Sequence, residues 1–308
     1  MAGIGDDCSI LRIPKNHEVL ITTDFSLEGV HFRREWQSAE SVGHRCLTRG
    51  LSDIAAMGGE PLAVFLSLAL PAMLPQKWVD QFMKGLLKLA AQFHVTLAGG
   101  DTAQSPAGVL ADIVVAGSVP RGKAVLRSTA RVGDRIYVTG TLGGAAAELE
   151  MLYSKRKHVP KPNRPSPSSH FFLFPAPRLE VGRILRERGI ATSMIDLSDG
   201  LSTDLRHICE ESRVGAQVAA AAVPRAKTGG RELVDRQFVD LPLALHGGED
   251  YELLFTASPA KRVPHRIAGV RITEIGRITR SRRVLLIEPE AKRELEPKGW
   301  QYFARSGE

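Results

Sequence analysis

The sequence predicts an α/β protein with mixed (α+β) sheets in two domains, and three observations carry that prediction. The chain has 308 residues, about twice the length of an ordinary domain. Hydrophobic residues make up 43% and charged ones 24%, enough apolar material for sizeable cores. Strand-like apolar runs alternate with segments of helical spacing, but unevenly, which fits two mixed domains better than one periodic barrel.

The first strand signal is "EVLITTD" at 18–24, ending in hydroxyls and a carboxylate. From Ala39 to Met57, the spacing of Val42, Cys46, Leu47, Leu51 and Ile54 predicts a helix. "AVFLSLALP" at 63–71 predicts an apolar strand. Pro75 suits the first turn of a second helix, where Trp78, Phe82 and Leu86 with Val79, Met83 and Leu87 make one broad buried face as far as Phe93. "VTLAGGD" at 95–101 and "VLADIVVAGSV" at 109–119 are strand signals, the first interrupted by two glycines and a carboxylate.

A polar turn in "RSTARVGDRIYVTG" marks the boundary, dividing the chain into 1–127 and 128–308. Helices are expected over 142–154, 176–189 and 201–212, with "ATSMID" at 191–196 as a strand between the last two. The segment 155–170, rich in Pro, Ser, Lys and Arg, cannot bury enough apolar surface to order itself and reads as a flexible insert. "YELLFT", "RITEIGRI" and "RVLLIEP" are later strands, with "SPAKRVPHRIA" at 258–268 as a helix between the first two.

The net charge of +7 does not make this a nucleic-acid-binding chain, because its excess lies in two runs, 153–164 and 276–283, without interleaved aromatics. Cys8, Cys46 and Cys209 are odd in number and too far apart for a zinc knuckle, as expected of thiols in a reducing cytoplasm. No basic start followed by an apolar run marks a signal peptide, and no segment reaches the roughly 20 apolar residues that span a bilayer.

The informative pattern is the placement of acids. Asp6 and Asp7 lie in "GIGDD", Asp24 ends a strand, Asp53 lies in a helix, Asp101 follows "LAGG", and Asp196 and Asp199 occur in "IDLSDG". A lone Asp beside Gly is ordinarily a turn or a helix cap. Turns do not require a carboxylate at the end of nearly every apolar strand, however, and strand ends of α/β domains are where ligands gather. Oxygen ligands without a His/Cys cluster point to Mg2+ or Mn2+ rather than zinc.

Asp53 has apolar neighbours Leu51, Ile54 and Ala55, so it is either paired or metal-bound, or turned to the polar face of its helix. The glycines of "GIGDD", "LAGGD" and "GTLGG" suit close backbone approach to an anion, though none forms a phosphate loop or a dinucleotide fingerprint. Arg127 is either a phosphate partner or a solvated charge. In "LEGVHF", alternation puts Val30 with Phe32 and His31 on the opposite face. Glu249 in "GGEDYE" and Trp300 in "KGWQYF" fit substrate contact and ordinary packing equally well.

Taken in order, "GIGDDCSI", "TTDFSLEGVHF", "LSDIAAMGG", "LAGGDT", "VTGTLGG", "IDLSDGLSTDL" and "GGEDYELLF" closely resemble the thiamine-monophosphate kinase family, from about Gly3 to Trp300 apart from most of 155–170. Glycine–acid turns are shared more loosely with aminoimidazole ribonucleotide synthetase, selenophosphate synthetase and hydrogenase-maturation proteins. The resemblance implies the two-domain aminoimidazole ribonucleotide synthetase-like fold, with the N-terminal sheet paired across a homodimer and active sites near the dimer and domain junctions. It implies transfer of phosphate from ATP to thiamine monophosphate, giving thiamine diphosphate, in the cytoplasm and without nucleic acid or membrane partners. By position it assigns Asp7, Thr22, Thr23, Asp24, Asp53, Asp101, Asp196 and Asp199 to several Mg2+ ions, with Asp24, Asp53 and Asp101 assisting transfer. Gly100, Arg127 and Ser198 fall at ATP contacts, and His31, Glu249 and Trp300 at thiamine contacts. Family members usually carry a further helix-containing segment before "GIGDD", where only Met1 and Ala2 stand here.

No general base is expected, because a phosphate monoester with a second pKa near 6 is already mostly dianionic at neutral pH. Direct in-line transfer assisted by metal ions follows from that chemistry. The competing readings are another ATP-dependent enzyme of the superfamily and a noncatalytic nucleotide- or metal-binding scaffold.

Overall fold

The computed structural model describes residues 3–5, 7–153, 171–227 and 238–300. Asp6 and the insert expected at 155–170 lie outside the described residues. The chain forms two compact units, Met1–Ala124 with Leu173–Leu179, and Val125–Phe172 with Glu180–Glu308.

The first unit contains β1 (His17–Leu27), α1 (Ala39–Ala56), β2 (Glu60–Pro71), α2 (Gln76–Gln92), β3 (Thr96–Ser105) and β4 (Leu110–Pro120). Its sheet runs β1-β4-β2-β3, antiparallel except for the parallel β2/β3 pair. Ser38 caps α1 by accepting from the Ser41 N–H at 3.2 Å. The two helices cross at a pair of glycines. A Cβ on Gly43 would lie 1.9 Å from the Phe82 carbonyl oxygen, and one on Gly85 would lie 1.9 Å from that of Glu40. The buried stripe of α2 is Phe82, Gly85, Leu86, Leu89 and Ala90, narrower than the broad face expected. Leu87 falls outside it and is 45% exposed, because one turn of helix carries successive residues around to solvent.

The second unit contains β5 (Arg135–Thr139), α3 (Gly144–Tyr153), α4 (Leu179–Glu187), β6 (Ala191–Asp196), α5 (Leu201–Glu211), β7 (Gly215–Ala219), α6 (Leu241–His246), β8 (Leu253–Ala257), β9 (Arg266–Ile267), β10 (Val270–Thr279), β11 (Val284–Ile287) and β12 (Lys292–Glu294). The sheet order is β12-β11-β7-β10-β5-β8-β6, with β9 paired to β10. Ile136, Val138, Leu205, Ile208, Leu254, Ile275 and Leu286 are among the fully buried residues of its core. The helix expected over 258–268 does not form. Turns and the short strand β9 occupy that stretch, since Pro264 lacks an N–H and pushes Val263 away from helical geometry.

The segment Leu173–Leu179 packs with the first unit. The Pro175 carbonyl sits 2.8 Å from His44 Nε2 and accepts the Thr48 hydroxyl at 3.4 Å, while Phe174 meets the His44 ring edge-on. Burial lowers the His44 pKa, keeping the ring neutral beside Phe174. Burial also pushes the Cys46 and Cys209 thiols up to about 12, so both are unreactive core residues. No helix of the described residues is long and apolar enough to cross a membrane.

Candidate active site

Alternation along β1 separates the residues of "TTD". Thr22 and Asp24 face α1: the Thr22 hydroxyl donates to the Asp53 carboxylate, and buried Arg49 directs Nη1 to Asp24 Oδ1 at 3.5 Å. The Thr23 side chain turns to the opposite face, where it donates to Asp112 Oδ1 at 2.9 Å. Asp53 is thus a partly buried, hydrogen-bonded carboxylate on an otherwise apolar helix turn, the first of the two readings its neighbours allowed.

Asp101 lies on β3, which continues past both glycines, although its register with β2 shifts between Leu97 and Gly99, where the sequence reads as an interruption. The reason is local. At Gly100, φ is +150°, and a Cβ would stand 1.8 Å from the Leu66 carbonyl oxygen, so this strand position accepts only glycine. The registers of β2 with β3 and with β4 bring Asp101, Ser67 and Asp112 into one cross-strand row. The Asp101 carboxylate accepts from the Thr102 N–H at 2.8 Å. Ser9 donates to the Ala98 carbonyl at 2.6 Å, tying the segment that carries exposed Asp7 to this strand.

His31 lies in a turn, not a strand. Gly29 N–H donates to the Phe32 carbonyl and His31 N–H to that of Leu27, leaving Val30 48% exposed and Phe32 buried, so these two do not share a face. The Leu27 N–H donates to His31 Nδ1 at 3.0 Å, and buried Arg45 donates to the His31 carbonyl.

In the second unit, three separated segments are joined by main-chain hydrogen bonds. Asp196 ends β6 and is buried, and the "LSDG" turn follows it. Glu249 N–H donates to the Ser198 carbonyl at 2.8 Å, Tyr251 N–H to that of Leu197 at 2.9 Å, and Trp300 N–H to that of Asp199 at 3.3 Å. Ser198, Asp199, Glu249 and Trp300 are therefore neighbours. Arg127 is not drawn in by these bonds: it lies exposed in a short 3₁₀ turn, its carbonyl accepting from Ser212 Oγ at 2.8 Å.

Sequence reasoning passed over Asp204, one turn into α5. This buried carboxylate accepts from the N–H groups of Asp199 and Gly200 at 3.1 and 3.0 Å. Burial, then the charges of Asp196 and Asp199, raise its pKa well above the ordinary carboxylate range. Oxygens of Asp199 and Asp204 and a ring nitrogen of His207 lie within 4.8 Å of one another. Two carboxylates and an imidazole so close together, with a third carboxylate acting on Asp204, could hold a divalent cation. An acid at the start of a helix is the only sequence signal for Asp204, and it reads equally as a cap.

The "GTLGG" glycines do not present open N–H groups to an anion. Asp250 accepts from Gly143 N–H at 2.7 Å and Ala145 N–H at 3.3 Å, occupying the start of α3 from within the protein. Burial pushes its carboxyl up to about 7, against the lowering effect of those backbone bonds.

Both halves of the chain match the class of AIR synthase related proteins: the N-terminal domain model over residues 5–119 and the C-terminal domain model over 131–287. The chain is 38% identical to the thiamine-monophosphate kinase of Escherichia coli K12 over 307 residues, covering 98% of this chain and 92% of the relative. The crystal structure of the enzyme of that name from Stenotrophomonas maltophilia K279a superimposes with a TM-score of 0.79 at 34% identity, covering 93% of this chain and 90% of that one. AaThiL complexed with AMPPCP and TMP superimposes with a TM-score of 0.80 at 29% identity, covering 97% and 92%. The chain belongs to the thiamine-monophosphate kinase family.

Proposed function

We propose that this chain transfers the γ-phosphoryl group of ATP to thiamine monophosphate, forming thiamine diphosphate and ADP by direct in-line displacement. One observation carries the reading: the hydrogen-bonded junction of the 196–199 turn with Glu249 and Trp300, which sets carboxylates suited to cations beside an acid and an indole suited to an aromatic cation. Membership of the family and the AMPPCP and TMP held by AaThiL support the same substrates.

In the second unit, Asp196 and Asp199, steadied by Asp204, would hold Mg2+, with Ser198 at ATP. In the first, which would serve for metal and ATP binding and for dimerisation, Asp7, Thr22, Thr23, Asp24, Asp53 and Asp101 would do so, with Gly100 near the nucleotide. Bound Mg2+ supplies charge neutralisation and alignment of the two phosphates. Arg127 would pair with ATP phosphate, and His31 would contact the thiamine substrate. Glu249 would accept from the thiamine ring system and Trp300 would stack on it. No residue need remove a proton, because the acceptor phosphate is already dianionic near neutral pH.

A homodimer through the first sheet is part of the proposal. Val19, Ile21 and Phe25 on one face of β1 are 43%, 63% and 52% exposed, an apolar row of the kind a partner covers. The deciding assay is ADP release with ATP and Mg2+, with mass detection of thiamine diphosphate. Product from thiamine monophosphate and none from free thiamine is the expected result. Inversion at a chiral, isotopically labelled γ-phosphate is expected for direct transfer, and retention would refute it.

A further inference from the structure

Glu249 and Tyr251 both have positive φ, at 69° and 49°, flanking Asp250 in the "GGEDYE" turn. Residues with side chains hold that conformation at a cost, and only where their surroundings over-determine it. Here three anchors do so. Glu249 and Tyr251 N–H groups bind the carbonyls of Ser198 and Leu197, and the Asp250 carboxylate is fixed at the start of α3. Tyr251 is almost wholly buried, yet its hydroxyl reaches the Glu249 carboxylate, 3.2 Å from Oε2. An extended strand would send side chains two positions apart along parallel paths to the same face; the two left-handed residues instead fold the phenol back onto the acid.

We infer that Tyr251 is a positioning residue: its buried phenol orients the Glu249 carboxylate through a donated hydrogen bond, and so sets how tightly the ring of the acceptor substrate is held. The substrate part of this inference rests on the kinase reading above; the Tyr251–Glu249 coupling does not. A phenol is a rigid donor, and a hydrogen bond to an ionised acceptor is the stronger kind.

The test compares Tyr251→Phe, Glu249→Ala and the double variant. Tyr251→Phe is expected to raise KM for thiamine monophosphate about five- to tenfold, leaving kcat and KM for ATP within about twofold. Glu249→Ala should raise the same KM further, and adding Tyr251→Phe to it should change nothing more. Independent multiplicative effects of the two substitutions, or an equal rise in KM for ATP, would overturn the inference. A second readout needs no turnover: the side-chain carboxyl carbon resonance of Glu249, assigned by its loss in Glu249→Gln, should move in Tyr251→Phe. An unmoved resonance refutes the positioning even if kinase activity is found. Absence of thiamine-monophosphate-dependent ADP release with a moved resonance refutes the substrate assignment and leaves the positioning standing.

Discussion

At Asp53 a carboxylate and the Thr22 hydroxyl meet across the contact of α1 with β1, so the acid is held at a defined place. Asn retains an acceptor for Thr22 but loses the charge that metal binding needs. Asp53→Asn is therefore expected to keep its melting temperature within a few degrees while turnover at saturating Mg2+ falls about a hundredfold or more. Comparable activity in a steady-state assay would remove Asp53 from the site. Asp250 has the opposite character: its folded pKa of about 7 lies above its ordinary 3.8, so the folded state holds the proton more tightly than the unfolded one. The stability linked to that proton is complete below the unfolded value and is lost as pH rises through about 7. Urea unfolding should thus show a less stable protein at pH 8 than at pH 5. Asp250→Asn should flatten the difference but not abolish it, since Asp204 is shifted in the same direction.

Between elements, the crossing of α1 on α2 depends on two missing side chains. Gly43→Ala would press a methyl group into the Phe82 carbonyl, and because both atoms belong to helix backbones neither can move alone. A loss of about 1–3 kcal/mol or more is expected in denaturant titration, with activity per folded molecule little changed. How far such elements can be read in advance depends on their signals. β1, β2, β4 and β6 are legible as apolar runs, and α1 as a periodic one, because their neighbours agree with their own preferences. β7, "GAQVA", is too short and too poor in β-branched residues to stand out, and it acquires its form from pairing with β10 and β11. Of the acids expected at strand ends, Asp196 does end β6, but Asp24 lies within β1 and Asp101 within β3, because both strands continue past the apolar run that marks them in the sequence. The separation of Thr23 from Thr22 follows directly from strand alternation. The bonds of Asp204 and Tyr251 to Asp199 and Glu249 were not readable, since a helix-start acid and a buried aromatic are ordinary until their partners are seen.

For the molecule as a whole, the exposed row on β1 has a measurable consequence. Replacing Ile21, 63% exposed, with Glu should leave the fold intact and shift the proposed dimer toward monomer in sedimentation equilibrium. An unchanged mass would assign the dimer contact elsewhere. The path of the chain has a different consequence. The first unit ends at Ala124, yet seven residues farther on, Leu173–Leu179, belong to it, so its covalent outline has a hole that only later sequence fills. Emerging from a ribosome, the first 124 residues present α1 with Thr48 and His44 lacking the Pro175 carbonyl they hold in the finished protein. Synthesis must run well past the apparent end of this unit before it can close. A gene split after Ala124 would therefore yield an incomplete first unit, whereas a peptide carrying 173–179, supplied in trans, is the piece that would complete it.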